Sequence, residues 1–222
     1  MSPWIGQSRF DDRRDAGRQL AAQLSALAIE SPVVVGLPRG GVPVAGEVAA
    51  ALGAPLEILA VRKLGAPHNP EYGIGAIVED GTRVVDSAAL AALEIDDEAL
   101  ESMVLREAAE LRRRVGAYRA ARAALSLAGR TVIVVDDGVA TGITDTAALR
   151  AIRRQGPRRL LLAIPVCARD SLARLQGEAD EVVCLVAPPL LYGVGQWYRD
   201  FAQVSDREVI SALEAAQAPP AG

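Results

Sequence analysis

The chain has 222 residues, of which 50% are hydrophobic, and a formal net charge of −4. A chain of this length and composition can bury a sizeable core, so we predict a single domain over residues 1–222. The small negative charge argues against a surface that attracts nucleic acid or anionic lipid as a whole. We therefore predict neither a nucleic-acid nor a membrane partner.

Targeting and redox signals are weak. No apolar run reaches the roughly 20 residues that span a bilayer, and the N-terminal stretch lacks a basic segment followed by an apolar one. Cys167 and Cys184 each lie in an apolar run and lack metal-ligand spacing. This placement is typical of small buried residues in a reducing compartment, so we predict a cytoplasmic protein.

The chain alternates strand and helix patterns. Apolar positions recur at helical spacing over residues 11–28, with Asp11 or Asp12 as the cap. Three β-α-β units follow: "VVVGL" with "VPVAGEVAAAL" and "PLEILAV", then "TVIVVDD" with "TDTAALRAIRRQG" and "RRLLLAIPVC", then "RDSLARLQG" with "EVVCLV". This order predicts an α/β fold with a doubly wound parallel sheet.

The middle of the chain departs from this alternation. Residues 62–75 are rich in glycine and proline and are predicted to form a long loop. "IGAIV" and "TRVVD" predict a hairpin, and residues 96–129 a helix of up to about 30 residues. We expect the insertion at 80–129 to pack beside the core or against a second subunit in a homodimer, with its basic residues facing solvent. Residues 214–222 are predicted to be frayed.

Two acidic residues and a small-residue loop follow the strand "TVIVV". Asp136 and Asp137 precede Gly138–Thr144, after which a helix begins. Glycines and hydroxyl side chains beside a helix N-terminus suit a phosphate, and paired carboxylates suit a vicinal diol or the waters of Mg²⁺. A phosphorylated ribose carries both features.

Other phosphate and hydrolase motifs fit this segment poorly. A P-loop would place Lys and Ser or Thr after Gly142, where the chain has Ile143-Thr144. The dinucleotide fingerprint needs glycines at other offsets, and no G-x-S-x-G elbow accompanies the histidine, His68.

"VIVVDDGVATGIT" resembles the phosphoribosyl pyrophosphate (PRPP) signature of the type I phosphoribosyltransferases. The resemblance implies that family's fold, with a C-terminal hood over residues 187–213. It also implies a Mg²⁺-dependent transfer of 5-phosphoribosyl from PRPP to a nitrogen of a nucleobase-like acceptor, with release of pyrophosphate. A protein that only binds PRPP or a nucleotide and regulates a partner is the alternative, since fold alone does not decide activity.

The same resemblance assigns roles to individual residues. Asp136 and Asp137 would hold the ribose hydroxyls and, directly or through water, Mg²⁺. "LPRGG" resembles the pyrophosphate loop, and "VRKLGAP" the strand end before a flexible loop, residues 62–75, that closes over the donor. The implied 5-phosphate ligands are Gly138, Val139, Ala140, Thr141, Gly142 and Thr144, and the implied pyrophosphate ligands are Arg39, Gly40, Arg62 and Lys63.

The acceptor side is less defined. "NPEYG" resembles adenine-type members, which implies that Glu71 is an acid or base for the acceptor, unless it is a solvated loop residue. Hypoxanthine-guanine types keep an Asp where this chain has Ala140. Trp197 and Tyr198 would stack on the base, or would pin the C-terminal segment to the core.

Overall fold

The computed structural model describes residues 10–119 and 124–216, except for the side chains of Pro70 and Glu71. A five-stranded sheet forms its centre, built from β1 (Pro32–Gly36), β2 (Leu56–Ile58), β6 (Thr131–Val135), β7 (Arg159–Val166) and β8 (Glu181–Val186). Their order is β2-β1-β6-β7-β8, and every neighbouring pair of strands is parallel. Helices cover both faces, which confirms the doubly wound α/β prediction.

Two apolar layers hold the helices to this sheet. The helices are α1 (Arg13–Leu24), α2 (Gly41–Leu52), α5 (Ile143–Arg154), α6 (Arg169–Leu175) and α7 (Asp206–Ala215). On one face, Leu20 of α1, Val44 of α2 and Val209 of α7 pack with sheet residues such as Ile133. On the other face, α5 and α6 pack on alternate residues of the same strands. Asp12 caps α1 by accepting from the Asp15 amide, so one of the two predicted caps is confirmed.

A second, antiparallel sheet stands beside the first. It consists of β3 (Val61–Ala66), β4 (Asn69–Val78) and β5 (Arg83–Val85). The predicted hairpin around Glu79–Gly81 is confirmed as the β4–β5 connection. The predicted loop over residues 62–75 is wrong, because this segment forms most of the β3–β4 hairpin. The predicted strand "PLEILAV" also divides, into β2 and the start of β3.

The inserted helix packs against this second sheet. It is α4 (Asp97–Arg119), preceded by a short α3 (Ser87–Ala92). Met103, Val104 and Leu111 of α4 share an apolar cluster with Leu64 and Ile74 of the second sheet. The helix therefore packs beside the core, as one of the two alternatives predicted. The described part of α4 has 23 residues, and residues 124–130 are not helical, so the predicted extension of the helix to Gly129 is wrong.

The C-terminal segment returns to the carboxyl edge of the main sheet. After β8 it forms a 3₁₀ helix (Val194–Trp197), and Phe10 pairs with Tyr198 in an isolated parallel bridge. Residues 214 and 215, predicted to be frayed, belong to α7, and 217–222 lie outside the described residues. Within the ranges described, no helix is long and apolar enough to cross a membrane.

Candidate functional site

The predicted site residues meet where β1 and β6 end side by side. Gly36 pairs with Val135, and the amide of Leu37 donates to the carbonyl of Val135 at 2.9 Å. The strand order reverses at this point, with β2 beyond β1 and β7 beyond β6. In open α/β sheets, the crevice at such a switch point is where ligands bind.

The loop after β1 lies directly on the acidic pair. A Cβ atom added to Gly40 would lie 1.9 Å from Oδ2 of Asp137, so no other residue fits at position 40 without moving that carboxylate. The Pro38–Arg39 peptide bond is cis. Nη1 of Arg39 lies 3.9 Å from Oδ1 of Asp206 at the start of α7. The structure thus brings the predicted pyrophosphate loop and the acidic pair together.

The loop after β6 is fixed from beneath. The Val139 amide donates to the Val166 carbonyl and the Ala168 amide to the Val139 carbonyl, both at 2.9 Å. The Ser171 hydroxyl donates to the Ala140 carbonyl at 2.6 Å. Gly142 has φ +74°, a left-handed conformation that favours glycine, and α5 begins at the next residue.

This loop leaves its amide groups available to an anion. Within the described chain, no hydrogen bond is made by the amides of residues 141–144. Helix N-termini carry such unpaired N–H groups and a partial positive charge, which together bind phosphate or carboxylate. The arrangement suits the 5-phosphate predicted for this loop.

Asp137 is held by two separate parts of the chain. Its Oδ2 accepts from Nε of Arg13 at 2.7 Å, and its carbonyl accepts from the Tyr198 hydroxyl at 2.5 Å. The Arg13 guanidinium also lies 3.8 Å from the centre of the Phe201 ring and donates to the carbonyl of Ala202. Both members of the Arg13–Asp137 pair are largely shielded from solvent, at 11% and 15% exposure. Asp137 therefore has a fixed orientation.

A third carboxylate lies close to the predicted pair. Asp145, in the first turn of α5, is 2% exposed, and its Oδ1 has no hydrogen-bond partner among the described residues. Burial raises the pKa of Asp145 to about 7. Burial, followed by the charges of Asp145 and Asp137, raises the pKa of Asp136 well above its usual range. Burial raises the pKa of Asp137 too, although Arg13 opposes this effect.

The donor set fits Mg²⁺ that is delivered with a ligand. In residues 10–119 and 124–216, no three acidic, His or Cys side chains are grouped so that they could bind a metal by themselves. Mg²⁺ is commonly held by one or two carboxylates together with substrate phosphates and waters. Asp136 and Asp137 are suitable carboxylates beside a loop suited to phosphate.

The predicted cations of the second sheet have different surroundings. Nε and Nη2 of Arg62 donate to the same oxygen of Glu107 in α4, at 2.9 and 2.6 Å. The Lys63 side chain of β3 lies beside Gly73 of β4. Arg62 and Lys63 both line a cavity that Thr144 also lines. The role predicted for Glu71 concerns a side chain outside the described residues.

The two predicted base-stacking residues differ in exposure. Trp197 is half-buried in the 3₁₀ helix, whereas Tyr198 is 3% exposed. The Tyr198 ring lies between those of Phe10 and Phe201, with centroids 5.3 and 4.9 Å away. The second of the two sequence interpretations, a pinned C-terminal segment, therefore describes Tyr198, whose ring is not open to a base.

Sequence reasoning missed two residues of this site. Asp145 aligns with Ala148, Leu149 and Ile152 on the buried stripe of α5, and a carboxylate within an apolar stripe was the signal for it. Arg13 lies 124 residues from Asp137, and no local pattern links the two.

These features are shared by a broad structural class of proteins. A parallel α/β sheet with a loop suited to an anion and an acidic pair at its switch point is typical of proteins that bind phosphorylated sugars or nucleotides. The sequence model of one such family, described as the phosphoribosyl transferase domain, matches residues 7–189. The chain belongs to this family, which confirms the resemblance to the type I phosphoribosyltransferases.

Individual relatives agree with this assignment. Two Mycobacterium tuberculosis proteins, "Putative phosphoribosyl transferase MT0597" and "Putative phosphoribosyl transferase Rv0571c", are each 49% identical over 207 residues, or 93% of this chain. This chain spans about half (47%) of the length of either protein. The crystal structure of TT1426 from Thermus thermophilus is 46% identical, with a TM-score of 0.78, and the match covers 92% of this chain and 97% of that one.

Proposed function

We propose that this protein transfers 5-phosphoribosyl from PRPP to a nitrogen of a nucleobase-like acceptor and releases pyrophosphate, with Mg²⁺ as the cofactor. The observation that carries the proposal is the juxtaposition of the amide-lined loop 138–144 with Asp136 and Asp137. A ligand with a phosphate at one end and vicinal hydroxyls beside it matches both parts. Family membership supports the reaction class.

The chain's own residues would act mainly by positioning and electrostatics. The transition state of phosphoribosyl transfer resembles a ribosyl oxocarbenium ion, so orienting the ribose and binding the leaving pyrophosphate are the principal tasks. Loop 138–144 would hold the 5-phosphate, and the carboxylates of Asp136 and Asp137 would accept from the ribose hydroxyls. Lys63 and Arg39 would bind the pyrophosphate. Mg²⁺ would supply neutralisation of the pyrophosphate charge.

The acceptor is proposed to be a base other than a 6-oxopurine. Ala140 is exposed at the position where hypoxanthine-guanine types carry an Asp, and it offers no acid to the ring. Trp197 and Glu71 remain the proposed contacts to the base. A single domain over residues 1–222, a cytoplasmic location and a homodimer also remain proposals, and light scattering of the purified protein tests the last.

Calorimetric titration with Mg²⁺ and PRPP tests the donor site. The Asp136→Asn, Asp137→Asn double variant should lose binding. The matched control is Asp96→Asn, Asp97→Asn, an adjacent exposed pair at the start of α4, where asparagine still caps the helix. A folded wild-type protein that does not bind PRPP would refute the proposal.

The alternative, a PRPP-binding regulator without activity, is separated by a second assay. Wild-type protein saturated with PRPP is mixed with individual nucleobases, and pyrophosphate release is measured. Release that needs one base and is abolished in the double variant supports the transferase. Binding of PRPP without release for any base in the panel favours the regulator.

A further inference from the structure

The inserted helix α4 forms one wall of a cavity beside the candidate site. This cavity has a volume of about 580 Å³ and is bordered by the loop after β1, by β3 and by the first turn of α5. Its lining includes Thr144, a proposed 5-phosphate ligand, and Lys63, a proposed pyrophosphate ligand. Both proposed phosphate ends of the donor site therefore border a single space that α4 also borders.

Apart from Met103, the side chains that α4 contributes to the cavity are charged. Arg106, Glu107 and Arg114 line it, together with Arg62 and Lys63 of β3. Among the described lining residues, four are cationic and Glu107 is the carboxylate. Glu107 is engaged by Arg62 at 2.6 Å and lies 3.5 Å from Nε of Arg106. The balance of charge in the cavity is therefore positive.

Arg114 is held in place before any ligand arrives. Its side chain is 17% exposed, and its Nε donates to Glu110 one turn earlier at 2.8 Å. Among the described residues this contact leaves the two terminal nitrogens of the guanidinium without a hydrogen bond. Arginine with a fixed orientation and available terminal nitrogens is well suited to bind phosphate oxygens in pairs.

Contacts on both sides of Arg114 hold α4 in place. Met103 and Leu111 are buried against the second sheet. Farther along, the Tyr118 hydroxyl donates to Oδ1 of Asp206 at 2.7 Å, and Arg113 lies 3.4 Å from the other oxygen. Asp206 is the residue that Arg39 of the pyrophosphate loop approaches. One carboxylate thus ties α4, α7 and the pyrophosphate loop together.

We propose that Arg106 and Arg114 bind the pyrophosphate end of PRPP, so that α4 completes the donor site together with Lys63. In this arrangement Arg62 is a positioning residue, because its pair with Glu107 fixes the second sheet against α4. The inference rests on the proposed function for its ligand. This role explains why the cationic wall of α4, formed by Arg106 and Arg114, faces the cavity that Thr144 also lines.

Three probes separate the two ends of the donor. Calorimetry is carried out with PRPP, with inorganic pyrophosphate and with ribose 5-phosphate, each with Mg²⁺. The Arg106→Ala, Arg114→Ala double variant should bind PRPP and pyrophosphate at least about tenfold more weakly, and ribose 5-phosphate within about twofold of wild type. In the Arg106→Ala background, Arg114→Lys should give a higher pyrophosphate affinity than Arg114→Ala, because lysine restores the charge but not the paired donors.

The matched control is Arg112→Ala. Arg112 is exposed on the same helix but does not line the cavity, and its Nε donates to the Ala108 carbonyl. This control should leave all three affinities unchanged, and thermal unfolding of each variant checks that the fold is intact. Equal weakening for all three probes, or none in the double variant, would overturn the inference.

Failure of the inference is distinguishable from failure of the proposed function. If PRPP binding depends on Asp136 and Asp137 but not on α4, the function stands and the inference falls. If wild-type protein binds pyrophosphate through Arg106 and Arg114 but does not bind PRPP, the anion site stands and the function falls. Binding of none of the three probes removes both.

Discussion

Replacing Asp145 by asparagine should make the stability of the protein less dependent on pH. In the folded protein Asp145 is 2% exposed and burial raises its pKa from the usual 3.8 to about 7. Because the folded-state pKa lies above that of the unfolded chain, proton binding favours the folded state. This stabilisation is fully present below about pH 4 and is lost as the pH rises through about 7.

The magnitude follows from the two pKa values. The pKa of the carboxyl rises from 3.8 to about 7 on folding. The unfolding free energy is therefore lower by about 4 kcal/mol when the group is ionised in both states than when it is protonated in both. Between pH 5 and pH 8 the change is about 2–3 kcal/mol, which for a chain of this size is a shift of roughly 5–10 °C in Tm. The asparagine variant lacks this ionisation and also removes a charge that raises the pKa of Asp136.

Unfolding by urea at pH 5 and pH 8 measures the effect. The quantity of interest is the change in unfolding free energy between the two pH values, compared for wild type and Asp145→Asn. Any fixed cost of the buried amide cancels in this comparison. Asp170→Asn, at an exposed position in the first turn of α6, is the control and should resemble wild type. Parallel pH dependence of wild type and Asp145→Asn would refute the reasoning.

Other predictions concern the surroundings of Asp137. Gly40→Ala should abolish PRPP binding in calorimetry, because its Cβ would lie 1.9 Å from Oδ2 of Asp137. The control Gly46→Ala has open space around it in α2 and should stabilise the helix by up to about 1 kcal/mol. Arg13→Ala should lower the urea-unfolding free energy by about 3 kcal/mol, since it leaves a shielded carboxylate without its cation. Tyr198→Phe should cost about 1 kcal/mol in the same assay, the usual contribution of one hydrogen bond. Unchanged PRPP affinity in the first variant, or wild-type stability in the other two, would contradict these expectations.

The segment from β6 to α5 could be predicted from sequence because its determinants are local. A run of five buried residues, two acids and a glycine-containing turn into an amphipathic helix all fall within residues 131–154. Their meeting with the loop after β1 also follows from general rules, since parallel strands of one sheet present their carboxyl ends at the same edge.

The second sheet could not be predicted in the same way. Gly65, Pro67 and Gly73 are typical of a loop, yet β3 and β4 pair with an irregular register around Gly65. Contacts from distant parts of the chain stabilise this hairpin: α4 buries Leu64, and Ile143 of α5 lies beside Gly73. The cationic wall on α4 was missed for a related reason, because a basic stretch on a helix is usually solvated unless a partner element faces it.

The β3–β4 hairpin has a consequence for how a ligand reaches the crevice. Ala76 and Val78 belong to the same apolar cluster as the main sheet, and Leu64 and Ile74 are buried under α4. Swinging the hairpin outward as a unit would expose these side chains to water, at a cost of several kcal/mol. Residues 67–69 at its tip are exposed and can shift without that cost. Ligand entry and release should therefore depend on small movements at this tip and along the C-terminal segment. The rest of the hairpin stays fixed at the edge of the crevice.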